Sequence, residues 1–202
     1  MTSATITDRL GALSRALIGR IRGGLAQVNV LVSMFFAGMN GSVVADTATV
    51  GALVLPAMKK AGYPAAFSAA VTGVSSTIGG IIPPSIMMIV LANATEISIA
   101  ALFAAGIIPG ILIGVVIMVI NHYFAVKYNF ERSDEPFSVR RAGKELYRSS
   151  FALLIPLVLV GSVMGGVASV VEAGAITALV ALFTGVFVYR TIKWKDCTGA
   201  FR

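Results

Sequence analysis

Asn40, Ser42, Asp46, Thr47 and Thr49 stand close together in the stretch FFAGMNGSVVADTATVG, Phe35 to Gly51, interleaved with Gly38, Gly41 and Gly51 and bounded on both sides by apolar runs. A second group, Ser75, Ser76, Thr77, Gly79, Gly80, Pro83, Pro84 and Ser85, interrupts the apolar segment Ala66 to Ala92. The two prolines remove backbone donors and disfavour helix just before them, so the spacing predicts a discontinuous helix. Helix ends opened inside an apolar environment leave carbonyls that can hold a cation, with small hydroxyl and amide side chains capping the rest. Asp46 carries two readings that do not exclude one another. It is an ion-handling acid inside a membrane segment, or with Thr47 it caps the helix that returns after the glycines.

The elements that must position these residues follow from composition. Hydrophobic residues make up 57% of the 202 and charged residues 12%, with a mean hydropathy of +0.89. Such a chain cannot hide its apolar surface from water and is read as an all-α polytopic membrane protein. The net charge of +7 does not point to nucleic acid, because the 16 Lys and Arg residues fall into clusters at Arg9 to Arg22, Lys59 and Lys60, Lys127 to Arg148, and Arg190 to Arg202, with none between. Clusters of this kind mark cytoplasmic loops. A single cysteine, Cys197, forms no internal disulfide and offers no metal-ligand spacing.

With all clusters on one side, each gap holds an even number of crossings. Residues 61–126 are expected to form the broken transmembrane helix and a second transmembrane helix, turning at Asn93 to Ser98. Residues 149–190 form a transmembrane pair turning near Gly165 to Glu172, at about 20 residues per crossing. Residues 1–22 read as an amphipathic interfacial helix, 127–148 as a cytoplasmic basic loop and 191–202 as a cytoplasmic tail. Segment 23–58 differs. Its apolar arms, Leu25 to Met39 and Ala48 to Met58, rise only about 22 Å and 16 Å, short of a crossing, so the expectation is a re-entrant helical hairpin with the polar cluster at its tip. Short or Gly/Pro-interrupted segments point to a transporter's midplane site.

Other motifs have plainer readings. Gly106, Gly110 and Gly114 permit close helix packing, or with Pro109 mark a kink. His122 is an interfacial residue, Glu96 and Glu172 are solvated acids of outside turns, and Lys193-Trp194-Lys195 is an interfacial anchor. An intramembrane protease would need a nucleophile with a base or two intramembrane aspartates, and Asp46 is the lone acid in a membrane segment. No phosphate-binding loop is present for ATP hydrolysis. A passive channel would want several polar helix faces, whereas polarity here sits at two backbone breaks.

The stretches RGGLAQVNVLVSMFFAGMNGSVVADTATVGALVLPAMKKAGY, SSTIGGIIPPSIMMIV, LFAAGIIPG and GGVASVVEAGAITA resemble the large membrane subunit of tripartite ATP-independent periplasmic (TRAP) transporters, within the ion-transporter superfamily. The resemblance runs from about Ile6 to Asp196. It implies an elevator-type secondary transporter of the bacterial or archaeal cytoplasmic (inner) membrane, carrying an organic acid such as a C4-dicarboxylate or sialic acid with Na⁺ as coupling ion and no resident cofactor. It also implies an extracytoplasmic substrate-binding protein and a small membrane subunit as partners. Carried over residue by residue, Gly38, Asn40, Gly41 and Ser42 at the tip, with Ser75, Ser76, Thr77, Gly79, Pro83, Pro84 and Ser85 at the break, form one Na⁺ site and part of the substrate pocket. Asp46 and Thr47 are placed beside them. Asn40 stands where the family commonly has Ser. Members of the family are about twice as long, so this chain reads as half of an inverted repeat whose remainder completes the site. A sodium/anion symporter of the same superfamily that needs no binding protein is the alternative.

Overall fold

A computed structural model describes residues 21–130 and 154–184, and every element in them is helical. Residues 1–20 of the interfacial helix expected over 1–22, nearly all of the basic loop and the whole C-terminal tail lie outside the described residues. In chain order the helices are α1 (Gly24–Asn40), α2 (Val43–Lys60), α3 (Ala65–Ser76), a 3-10 turn (Thr77–Gly80), α4 (Ile86–Thr95), α5 (Ile99–Lys127), α6 (Leu154–Met164) and α7 (Val170–Phe183).

Local chemistry explains where the helices stop. Gly41 takes the left-handed conformation (φ 59°) that closes α1, donating its N–H to the Ala37 carbonyl. Ser42 then caps α2, its hydroxyl accepting the Ala45 N–H. At the other end of α2, Gly62 (φ 79°) donates to the Lys59 carbonyl and Tyr63 to the Met58 carbonyl, a Schellman closure. Ser85 starts α4 by accepting the Met88 N–H, and Ser98 starts α5 by accepting the Ala101 N–H. The break between α3 and α4 contains a cis Pro83-Pro84 bond.

Two expectations change. The returning arm begins at Val43 rather than Ala48, so Asp46 and Thr47 lie inside α2 and the capping role belongs to Ser42. At 18 residues α2 rises about 27 Å, so shortness no longer sets that arm apart. Glu172, expected in a solvated turn, sits in the first turn of α7. It forms a reciprocal capping box with Ser169, whose backbone N–H it accepts at 2.8 Å. The turn between α4 and α5 falls at residues 96–98, with Glu96 left-handed at the C-cap.

α1 is the centre of the bundle. Ala26, Val30, Val32 and Ala37 are all fully buried, and α2, α3 and α5 surround it. The glycine stripe of α5 makes this possible by close approach, and α5 runs on through Pro109 as one helix. A Cβ on Gly106 would meet the Ile81 carbonyl and Met88, on Gly110 the side chain of Ile82, and on Gly114 that of Met34. Gly23 rests in the same way on Ala125.

These contacts fix relative depth. Gly23 at the start of α1 sits beside Ala125 near the end of α5, and the Gln27 amide donates to the Met118 carbonyl at 2.8 Å. Arg22 donates to Asn129 at 3.1 Å, and the ring of Tyr63, three residues past Lys60, packs at a tilt 4.7 Å from that of Phe130. Arg22, Lys59, Lys60 and Lys127 therefore share one end of the bundle. From that end α1 rises about 25 Å and α5 about 43 Å, and the break on which the α1–α2 tip rests lies beside Gly106 and Gly110. Roughly 10 Å of α5 continues past Gly106 toward Ile99, accompanied by α4, whose Met88 packs around the fully buried Phe103. α3, the break and α4 together run alongside α5. Among the described residues, α5 is the one helix long and apolar enough by itself to cross a membrane.

Candidate functional site

The two interruptions meet. The Ile86 N–H donates to the Gly41 carbonyl at 3.1 Å, tying the first turn of α4 to the turn between α1 and α2. A Cβ on Gly41 would strike the Pro84 carbonyl oxygen, and one on Gly38 would come 3.9 Å from the Pro83 carbonyl. Gly79 faces the Ser42 carbonyl and the Asp46 Cβ, at 3.6 and 3.7 Å from where its own Cβ would stand, and Gly80 faces Val43. Glycine is required at Gly41, where the positive φ and the Pro84 carbonyl leave no room for a Cβ, while Gly38, Gly79 and Gly80 let the two segments lie in ordinary contact.

Asp46 stands at this junction and is completely buried. The hydroxyls of Ser33 on α1 and Ser76 on α3 lie near enough to act as weak hydrogen-bond partners of the carboxylate, but neither carboxylate oxygen, nor the buried Ser76 hydroxyl, has a partner at full hydrogen-bond geometry. A carboxylate at such depth costs about 2.5–3.5 kcal/mol in a membrane helix, and a buried polar atom without a partner about 1–3 kcal/mol. The arrangement is therefore incomplete in chemical terms. It presents oxygens and lacks positive charge.

Behind Asp46 a polar seam runs between α1 and α3. The Asn29 amide donates to the Thr72 hydroxyl at 2.7 Å, and the Thr72 hydroxyl donates to the Ser68 carbonyl at 2.9 Å. The Ser75 hydroxyl lies 3.3 Å from Asn29 Oδ1, 3.1 Å from the Thr72 carbonyl and 3.0 Å from the Ser33 hydroxyl. Asn29, Ser33, Ser75 and Ser76 are fully buried.

The residues singled out in the sequence divide. Gly38, Gly41, Ser42, Asp46, Ser76, Gly79, Pro83, Pro84 and Ser85 are gathered at the junction. Ser42 spends its hydroxyl as a cap, while Ser85 caps α4 and donates to the Gly80 carbonyl at 2.8 Å. Ser75 belongs to the seam. Asn40 ends α1, half-buried beside the junction. Thr47 and Thr77 are exposed and return their hydroxyls to the Val43 and Val74 carbonyls at 2.8 and 2.7 Å, away from Asp46. Asn29, Ser33 and Thr72 escaped the sequence reading. The signal was present in their spacing: Asn29 and Ser33 are four apart on α1, as Ser68, Thr72 and Ser76 are on α3, each placing polar groups on one face of an otherwise apolar helix.

The donor set is one carboxylate with hydroxyls and main-chain carbonyls, and among the described residues no three His, Cys, Asp or Glu side chains gather as a metal site. Hard oxygen donors at broken helices suit an alkali cation.

The family model described as tripartite ATP-independent periplasmic transporter, DctM component, matches residues 1–202. The C4-dicarboxylate TRAP transporter large permease protein DctM of Pseudomonas aeruginosa is 36% identical, over 98% of this chain and 46% of its own length. The sialic acid TRAP transporter large permease protein SiaM of Vibrio cholerae is 35% identical, over 95% of this chain and 45% of its own. The 2,3-diketo-L-gulonate TRAP transporter large permease protein YiaN of Escherichia coli is 35% identical, over 99% and 48%. The chain spans a little under half the length of these relatives.

Proposed function

The chain belongs to the DctM-component family of tripartite ATP-independent periplasmic transporters, and from that premise we propose that it forms part of a permease importing an organic acid on a sodium gradient. It is a membrane protein of a transporter family and not an enzyme. The substrate is an organic acid of the kind its relatives' names carry, C4-dicarboxylate, sialic acid or 2,3-diketo-L-gulonate. An extracytoplasmic binding protein delivers it, and a small membrane subunit braces the permease in the inner membrane.

The observation that carries sodium coupling is Asp46, a buried carboxylate without a partner at full hydrogen-bond geometry where the tip of one helix pair meets the break of another helix. A cation there recovers the cost of burying the charge. Asp46, the Ser76 hydroxyl and main-chain carbonyls of the tip and break would hold Na⁺ on one side. Two helix N-termini, those of α2 and α4, begin at the same junction and favour a substrate carboxylate nearby.

The hairpin reading of α1 and α2 rests on geometry. Both outer ends lie at the basic end, and the tip stops against the break, which lies beside Gly106 and Gly110, about 10 Å short of the far end of α5. With cytoplasm at the basic end, the tip lies within the membrane. Movement of this unit as an elevator, with an inverted second half completing the pocket, explains why the site is built from one side only.

Uptake into proteoliposomes tests the reading. The chain assembled with the remaining permease length and its partner proteins should accumulate the organic acid on an inward Na⁺ gradient, and the chain by itself should not. Accumulation that persists with choline in place of Na⁺ would refute sodium coupling.

A further inference from the structure

A groove of about 280 Å³ between α3 and α5 belongs neither to the junction nor to the polar seam. Phe67, Ala70 and Val74 line it on α3, and Ile117, Asn121 and Phe124 on α5. Asn121 is the one polar residue in its wall. It is 3% exposed, and its amide nitrogen has no hydrogen-bond partner. A buried donor left unmet is costly, so the wall calls for a ligand that brings an oxygen. The terminal amide torsion is broad, which lets the nitrogen turn toward a ligand seated beside it. Along α5 the groove runs from about 5 Å to about 15 Å in from Lys127. With cytoplasm at the basic end, that is the cytoplasmic half of a hydrocarbon core about 30 Å thick. Spread over the roughly 10 Å between Phe124 and Ile117, the volume is about 5 Å across, narrower than a helix with its side chains at roughly 10–12 Å.

The end of the groove nearest the basic cluster is built for the membrane surface. Phe67 meets Phe124 edge-on at 6.2 Å, and Phe124 stacks on Tyr128 at 6.0 Å, an aromatic rim of the kind that sits at the headgroup level. Lys127 is exposed and stands three residues beyond Phe124, as Phe124 stands three beyond Asn121, so cation, aromatic ring and amide follow one another down one face of α5. Arg22, Lys59 and Lys60 lie at the same end. We propose that the groove holds an anionic phospholipid of the cytoplasmic leaflet, its phosphate at Lys127, an ester oxygen accepting from the Asn121 amide and one acyl chain running along Val74 and Ile117. The order of chemistry down the face, positive charge, then hydrogen-bond donor, then apolar wall, is the order of phosphate, ester and chain in such a lipid. The site rests on the membrane reading of the chain and stands apart from sodium coupling.

Photolabelling of the assembled permease tests it, in vesicles of phosphatidylglycerol and phosphatidylethanolamine containing a phosphatidylglycerol with a photoreactive acyl chain. Label should appear in residues 67–74 and 117–124, and added phosphatidylglycerol should displace it at several-fold lower concentration than phosphatidylethanolamine. Lys127→Gln should reduce that preference about five-fold, the effect of one basic residue at an anionic surface. Asn121→Leu, close in volume, should lower labelling several-fold and keep the preference, since both lipids carry the ester. Ala70→Phe, at an exposed position that tolerates the larger ring, should fill the groove and abolish its labelling. Equal displacement by the two lipids, labelling that survives Ala70→Phe, or a groove without label because the remaining permease length covers it would each overturn the proposal.

Discussion

Replacing Gly41 by alanine perturbs the junction at its tightest point, and Gly62 provides a matched control. Both glycines follow a helix with positive φ, 59° and 79°, so alanine costs about 1–2 kcal/mol of backbone energy at either place. They differ in surroundings. Nothing lies within 4 Å of a Cβ on Gly62, whereas on Gly41 it would strike the Pro84 carbonyl oxygen and come 3.3 Å from the Ile86 nitrogen. That nitrogen donates to the Gly41 carbonyl, so the tip must separate from the break and the bond lengthens or fails, adding about 0.5–1.5 kcal/mol. Gly62→Ala should therefore lose about 1–2 kcal/mol and bind Na⁺ normally. Gly41→Ala should lose about 1.5–3.5 kcal/mol and also require several-fold more Na⁺ for half-saturation. Denaturant unfolding in detergent beside radiolabelled Na⁺ binding reads both quantities. Equal destabilisation with unchanged Na⁺ binding in the two variants would refute the contact between tip and break as the basis of the site.

Cysteines placed at Gly24 and Lys60 should label from the same side of oriented vesicles and one at Glu96 from the other; labelling of the first two from opposite sides would contradict the hairpin. Thr47→Val and Thr77→Val should leave Na⁺ half-saturation within about two-fold of wild type, since both hydroxyls bond to their own helices; a larger increase in radiolabelled Na⁺ binding assays would bring them into the site. Ser169→Ala should destabilise α7 by about 1 kcal/mol through loss of its capping box, seen in denaturant unfolding, without changing Na⁺ binding.

The two interruptions were legible because glycine and proline act locally. Gly41 ends α1 through its own φ, and the Pro83-Pro84 pair separates α3 from α4 whatever surrounds it. The start of α2 was not legible. Asp46 and Thr47 are cap-type residues, but Ser42 reaches the cap first, and Thr47 satisfies itself on the Val43 carbonyl, which lets helix continue through both. Nor was the seam. Whether Asn29 and Ser33 face lipid or a partner depends on α3 lying against α1, a contact made by residues 42 or 43 positions away in the chain. The glycines of α5 left their use open in the sequence, and in the structure they serve packing, since Ile82, Met34 and Met88 occupy the space their side chains would take.

The most direct test of the account is uptake of an organic acid, presented by its binding protein, into proteoliposomes holding the assembled permease with either Asp46 or Asp46→Asn. The buried carboxylate at the junction predicts uptake driven by an inward Na⁺ gradient in the wild type and its loss in the variant, with the variant still folded by its unfolding profile. Sodium-driven accumulation of the same extent and the same Na⁺ dependence in both proteins would contradict it.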